Sequence, residues 1–133
     1  MLSAESQFLA GVLLLSLVTV ETGGMYLVKI VSGRAPATAF QEKFARAGHA
    51  HAGVLLLLAL VVQPYADAAD LDGLLGWTAR AGVAVCALLM PGGFFFSSMG
   101  RGRERPNGLI VLVYLGAVLL AISLASLGLA LLL

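Results

Sequence analysis

Four long apolar stretches constrain this chain more than any other feature. A transmembrane helix needs about 20 mostly apolar residues, and such stretches cover residues 8–31, 45–62, 74–96 and 108–133. Apolar residues make up 60% of the chain and charged residues 11%, against about 45–50% and about 25% in soluble domains. We therefore expect one membrane domain over residues 1–133, folded as an all-α bundle of four helices in contact with lipid.

The same composition excludes several other classes of protein. A soluble domain of 133 residues cannot bury this much apolar side chain. The net charge of +1 gives no excess of basic residues for binding nucleic acid. Cys86 is the single cysteine, so an internal disulfide scaffold is excluded as well.

Capping residues predict where the helices begin and end. Thr38 followed by Gln41 forms a capping box, and Pro64 is expected to stop the second helix, which gives a helix over residues 39–63. The connections are short, so consecutive helices should be antiparallel, in an up-down-up-down arrangement. The candidate N-caps of the third and fourth helices are Asp70 or Asp72, and Asn107.

Basic residues beside the spans predict the orientation in the membrane. Loops 32–44 and 97–106 carry Arg and Lys, whereas loop 64–73 carries three Asp and no basic residue, and the N-terminal segment carries Glu5 alone. Loops 32–44 and 97–106 are therefore expected to be cytoplasmic, with loop 64–73 and both termini outside. This pattern is typical of a multi-pass protein of a bacterial inner membrane. Residues 1–5 lack a positive segment, so the first span is expected to be retained as a helix.

Glu21 is the first candidate functional residue. It lies about 15 Å along the helix from Val31, near the middle of the bilayer. An ionisable side chain at that depth costs roughly 2.5–3.5 kcal/mol to insert. Two interpretations remain open: a carboxylate that carries a proton or binds a cation, and a structural carboxyl group that is hydrogen-bonded to another helix.

His49 and His51 open the apolar part of the second helix. Side chains two residues apart on an α-helix are separated by a rotation of about 200° about the helix axis. The two rings therefore point to opposite sides and cannot bind one metal ion. His49 shares its face with small residues and Gln63, as at helix interfaces, and is expected to face inward. It is either a hydrogen-bonded packing residue or a haem ligand, metal ligand or proton carrier. His51 shares its face with larger aliphatic residues, so a partner subunit or the headgroups are its expected neighbours.

Other polar and small residues have mainly structural interpretations. Lys29 can extend its ammonium group to the headgroups, and Arg80 is expected to do the same or to pair with Asp70 or Asp72. Pro91 is expected to kink or loosen the third helix. Alanines repeat every four residues on the fourth span, and glycines interrupt the first, so these faces are candidate docking surfaces. These small residues are Ala117, Ala121, Ala125, Gly23 and Gly24.

Residues 46–53, which include His49 and His51, resemble the His-rich second helix of small membrane proteins related to haem–copper oxidase subunit I. The resemblance implies a haem-binding role for this stretch. The chain has no adjacent pair of histidines for copper and no histidine outside this helix. The resemblance therefore extends only to a one-sided haem site, or to a site shared with another chain. The thioethers available as a second ligand are Met25 and Met90.

Two functions follow from these residues. The first is a non-catalytic subunit or accessory protein of a membrane complex, docked through its small-residue faces onto a protein partner or a second copy. The second is a haem-binding or proton-linked membrane protein. Its candidate cofactor-binding residues are His49, His51, Glu21, Met25 and Met90. Few polar residues lie inside the spans, which favours the non-catalytic function.

Overall fold

The computed structural model describes residues 1–133 and is entirely helical. The four long helices are α1 (Ala4–Val31), α2 (Ala39–Ala68), α3 (Gly73–Ser97) and α4 (Val111–Leu132), and a 3₁₀ turn over Gly108–Ile110 leads into α4. Each is long and apolar enough to cross a membrane. The predicted all-α architecture with four spans is confirmed.

The helices pack in chain order. α1 packs against α2, α2 against α3 and α3 against α4, whereas α1 and α4 do not touch. α2 and α3 are therefore the central helices, and they contribute most of the buried apolar core, for example Leu55, Ala59, Val83 and Cys86. α1 and α4 each keep one broad apolar face on the outside.

α2 does not end at Gln63, and the expected stop at Pro64 is wrong. The helix continues through Pro64 to Ala68. Proline removes one backbone hydrogen bond, but neighbouring groups in a membrane bundle can offset that loss. The carbonyl left without its donor by Pro64 is that of Leu60, four residues earlier. Separately, the Gln63 side chain donates to the carbonyls of Ala59 (2.9 Å) and Arg80 (3.0 Å), and the bond to Arg80 holds the last turns of α2 against α3.

α3 likewise continues through Pro91, as far as Ser97. The aromatic residues after Pro91 are therefore part of the helix, and two of them pack against α2 rather than only lying at the headgroups. Phe94 meets Phe44 at a ring-centroid distance of 5.5 Å, and Phe95 covers Gly48.

The predicted caps are largely confirmed. Thr38 and Gln41 form the capping box of α2, and the Asn107 side chain accepts a hydrogen bond from the amide of Leu109 at 2.8 Å. Asp72 occupies the N-cap position of α3, but its side chain makes no capping hydrogen bond.

Glycines bring α3 and α4 into close contact. A Cβ atom added to Gly93 would lie 2.7 Å from the backbone nitrogen of Val113, and one added to Gly116 would lie 2.5 Å from Cγ of Met90. Real Cβ atoms do not approach other atoms this closely, so the two helices can adopt this spacing only with glycine at these positions. Close backbone approach is a usual source of helix association in membranes.

We expect Gly93→Ala to lower the free energy of unfolding by about 1–3 kcal/mol, because the added methyl group forces α3 and α4 apart. Gly53→Ala is the matched control: a Cβ atom there meets nothing within 4 Å, and we expect a change within about 1 kcal/mol. Unfolding of both variants in mixed micelles measures the effect. Equal stability of the two variants would contradict the packing argument.

Candidate functional site

His49 lies against the glycine pair of α1. Cβ atoms built on Gly23 and Gly24 would each lie 3.3 Å from the His49 ring, so a side chain at either position would press on the imidazole and shift it by a few tenths of an ångström. The ring is half-buried and faces α1, as its position beside small residues predicts.

The half-buried ring of His51 also packs against a neighbouring helix of the chain, whereas its expected neighbours were a partner subunit or the headgroups. Its ring packs on Phe94 of α3 at a centroid distance of 5.0 Å, and its Nδ1 is 2.7 Å from the carbonyl oxygen of Ala47. The physical reason is the central place of α2: α1 and α3 cover its two sides, so two rings on opposite sides both become packed.

Glu21 is on the exposed side of α1. No hydrogen bond or ion pair joins its carboxyl group to His49 or to another residue of the chain; the two ion pairs are Arg46–Glu42 and Arg80–Asp67. The two residues that sequence reasoning singled out in spans 1 and 2 are therefore not joined in one polar site.

The two methionines also face away from His49. Met25 is 68% exposed on α1, and Met90 packs against Gly116 of α4. No group of three or more His, Cys, Asp or Glu side chains is placed to hold a metal ion. The structure therefore brings neither methionine to the His49 ring.

The densest polar cluster is at the opposite end of the helices from loops 32–38 and 98–107. The Asp67 carboxylate is 2.5 Å from Nη1 of Arg80 and accepts hydrogen bonds from the hydroxyl groups of Ser3 (2.8 Å) and Ser6 (2.9 Å). Arg80 also donates to both hydroxyl groups. We call these four residues, together with Gln63, the polar cluster; it joins α1, α2 and α3.

Sequence reasoning missed the pairing partner of Arg80, which was expected to be Asp70 or Asp72. Asp67 was assigned to a loop because Pro64 was expected to end α2. Once α2 extends to Ala68, Asp67 lies on the helix, one turn beyond Gln63, on the side that faces α3. The available signal was an arginine inside a span, since such a residue commonly pairs with an acidic side chain at the same depth.

A large open cavity lies at the other end of the molecule, between α1 and α3 and over the start of α2. It measures about 940 Å³, and its lining includes Tyr26, Ile30, Ala45, Phe95 and Arg101. His49 is one helical turn beyond Ala45 on α2, so it lies just past the inner end of this cavity. We call the cavity the loop-end groove.

The small residues of α4 divide between two faces. Gly116 and Ser123 are buried against α3, whereas Ala117, Ala121 and Ala125 are exposed. The alanine repeat is therefore not part of the packing within the chain.

Comparisons with known proteins give no relative: no family model, no curated protein and no solved structure matches the chain.

We expect Asp67→Asn to lower the free energy of unfolding by about 3 kcal/mol, because it leaves the Arg80 charge without its partner in a partly buried site. Arg80 and Asp67 are only 14% and 16% exposed. The matched control is Glu42→Gln, which breaks the ion pair between Arg46 (57% exposed) and Glu42 (36% exposed) and should cost less than about 1 kcal/mol. Unfolding in mixed micelles measures both, and equal losses would contradict a structural role for the polar cluster.

Proposed function

We propose that this protein is a non-catalytic subunit of a membrane complex, which docks through the outer face of α1. The observation that carries this proposal is the outward position of Glu21. The occupant of that face is a helix of another membrane protein that presents a basic side chain or a hydrogen-bond donor at the depth of Glu21.

The depth of Glu21 makes an outward position costly in a protein surrounded only by lipid. α1 has 28 residues and is about 42 Å long at 1.5 Å per residue, which places Glu21 about 5 Å from its centre. A glutamate side chain is too short to reach the headgroups from there. Ionisable residues at such depth almost always face a bundle interior or a cavity.

Nearby hydroxyl groups do not compensate for the carboxyl group. Thr19 donates to the carbonyl of Ser16, and Thr22 donates to the carbonyl of Thr19, each at 2.6 Å. Both hydroxyl hydrogens are therefore used within α1. A hydrogen-bond donor for Glu21 has to come from outside the chain, and a partner helix on α1 supplies it.

We expect Glu21→Leu to reduce the assembled fraction at least about ten-fold, because a buried charged hydrogen-bond partner is worth about 2–5 kcal/mol when lost. Glu21→Gln should retain part of the assembly, since an amide still accepts a hydrogen bond. Native electrophoresis of membranes solubilised in mild detergent measures the assembled fraction. Ala121→Leu, on the exposed face of α4, is the control and should leave the assembly intact.

Three results would contradict the proposal. Assembly that is lost with Ala121→Leu but kept with Glu21→Leu would place the docking face on α4. A species of the same size formed by the purified chain alone would be a homo-oligomer. A partner can be cross-linked to Thr22→Cys in a Cys86→Ala background. If the contacting helix of that partner carries no polar side chain, Glu21 is not the docking residue.

A second candidate function is ligand binding at His49, as a haem ligand or a proton carrier. The observation in its favour is the glycine pair of α1, which leaves space for this one ring. A haem iron bound here would need its second ligand from another chain, since Met25 and Met90 face elsewhere.

For the haem alternative, we expect the purified chain to bind haem weakly or not at all, and so to retain little or no Soret absorption after unbound haem is removed, because it supplies no second ligand to tighten the site. Any band should be abolished by His49→Ala and largely kept by His51→Ala, whose ring packs on Phe94. An absorption spectrum of each variant, with haem added, is the measurement. A strong band that survives His49→Ala and is lost with His51→Ala would exclude His49 as the ligand.

A further inference from the structure

The loop-end groove lies between α1 and α3, over the first turns of α2. Ile30 and Tyr26 form its α1 side, and Phe95 forms its α3 side. Ala45 lies at its floor, where a small side chain keeps the space open. The groove measures about 940 Å³, within the range of about 300–1,000 Å³ that holds small-molecule ligands.

Hydrogen bonds fix the outer wall of the groove. The Gln41 amide donates to the carbonyls of Ser98 (3.0 Å) and Gly100 (2.6 Å), and the Thr38 hydroxyl donates to the carbonyl of Arg103 at 2.5 Å. Loop 98–107 is thereby bound to the first turn of α2. The wall is thus formed within the chain itself, which lowers the entropy cost of binding a ligand.

The charges of the molecule are strongly separated along the helix axes. Seven of the eight Lys and Arg residues lie at the end that carries the groove, with two acidic residues, which leaves a local charge of +5 (7 − 2). These basic residues are Lys29, Arg34, Lys43, Arg46, Arg101, Arg103 and Arg105, and the acidic residues are Glu42 and Glu104. A ligand in the groove therefore meets a positive field at its outer end.

Arg101 is the charged residue that lines the groove. Neither of the chain's two ion pairs includes it, so its guanidinium group has no carboxylate partner. A guanidinium group binds phosphate oxygens in a bidentate manner. The lining thus has an apolar part beside the helices and an uncompensated cation at the loops.

We propose that the loop-end groove binds one anionic phospholipid, with the phosphate on Arg101 and the acyl chains along Ile30, Ala45 and Phe95. The division of the lining into an apolar part and a cationic part identifies this occupant. A free phosphate ion has no group for the apolar part, and a zwitterionic lipid carries a cation that the local charge of +5 repels. Basic pockets between membrane helices bind anionic headgroups for the same physical reason.

Native mass spectrometry of the purified full chain in detergent tests the proposal, with phosphatidylglycerol and phosphatidylcholine of the same acyl chains as probes. We expect phosphatidylglycerol to bind at least about five-fold more tightly. Arg101→Gln should weaken its binding about five-fold, since one basic residue near a membrane surface is worth about 1 kcal/mol. Arg105→Gln removes the same charge outside the groove lining and should change binding less than about two-fold.

A second variant tests the groove itself. Ala37 lines the groove and is exposed, so Ala37→Trp obstructs it without altering the buried core, and it should weaken phosphatidylglycerol binding to the same degree as Arg101→Gln. Equal binding of the two lipids, or equal losses with Arg101→Gln and Arg105→Gln, would overturn the proposal. Competition by inorganic phosphate at millimolar concentration would also overturn it, because the site would then be a free-anion site.

Discussion

Inside hydrocarbon, apolar side chains gain nothing by leaving lipid for another helix, so the association of these helices depends on close backbone approach and on a few polar bonds. Close backbone approach joins α3 to α4, with Gly93 against the backbone of Val113. Polar bonds join α1 to α2 and α3, through Asp67 and Arg80. Apolar packing of α2 on α3 adds the buried core, so these two helices are central.

The two ends of the molecule use their charges in opposite ways. At one end Asp67, Arg80, Ser3 and Ser6 satisfy one another, so the end of α1 is held close to its neighbours. At the other end Gln41 and Thr38 bind the loop carbonyls, while Arg101 has no carboxylate partner. A compensated charge stabilises the fold, whereas an uncompensated charge beside an apolar groove remains free to bind a ligand.

Parts of the candidate site were predictable from the sequence. The opposite directions of His49 and His51 follow from helix geometry alone, and the cost of Glu21 follows from its depth. The contacts that each of these side chains makes with other helices were not predictable. His51 was expected to face outward, but α3 covers that side of α2 with Phe94. The pairing of Arg80 with Asp67 was missed because α2 was expected to end before Pro64, which placed Asp67 in a loop.

The sequence by itself determined the number of spans, their approximate limits, the caps at Thr38 and Asn107, and the separation of charge between the two ends. These properties depend on local composition and on neighbours within about four residues, so they can be predicted from the amino-acid sequence without knowing which helices are in contact. Only the tertiary structure decided which faces of α1 and α4 stay exposed, and hence that Glu21 points outward while His49 meets Gly23 and Gly24. α1 and α4 are apolar on most sides and carry little hydrophobic pattern that distinguishes an inner face from a lipid face, so their packing depends on the fit between distant residues.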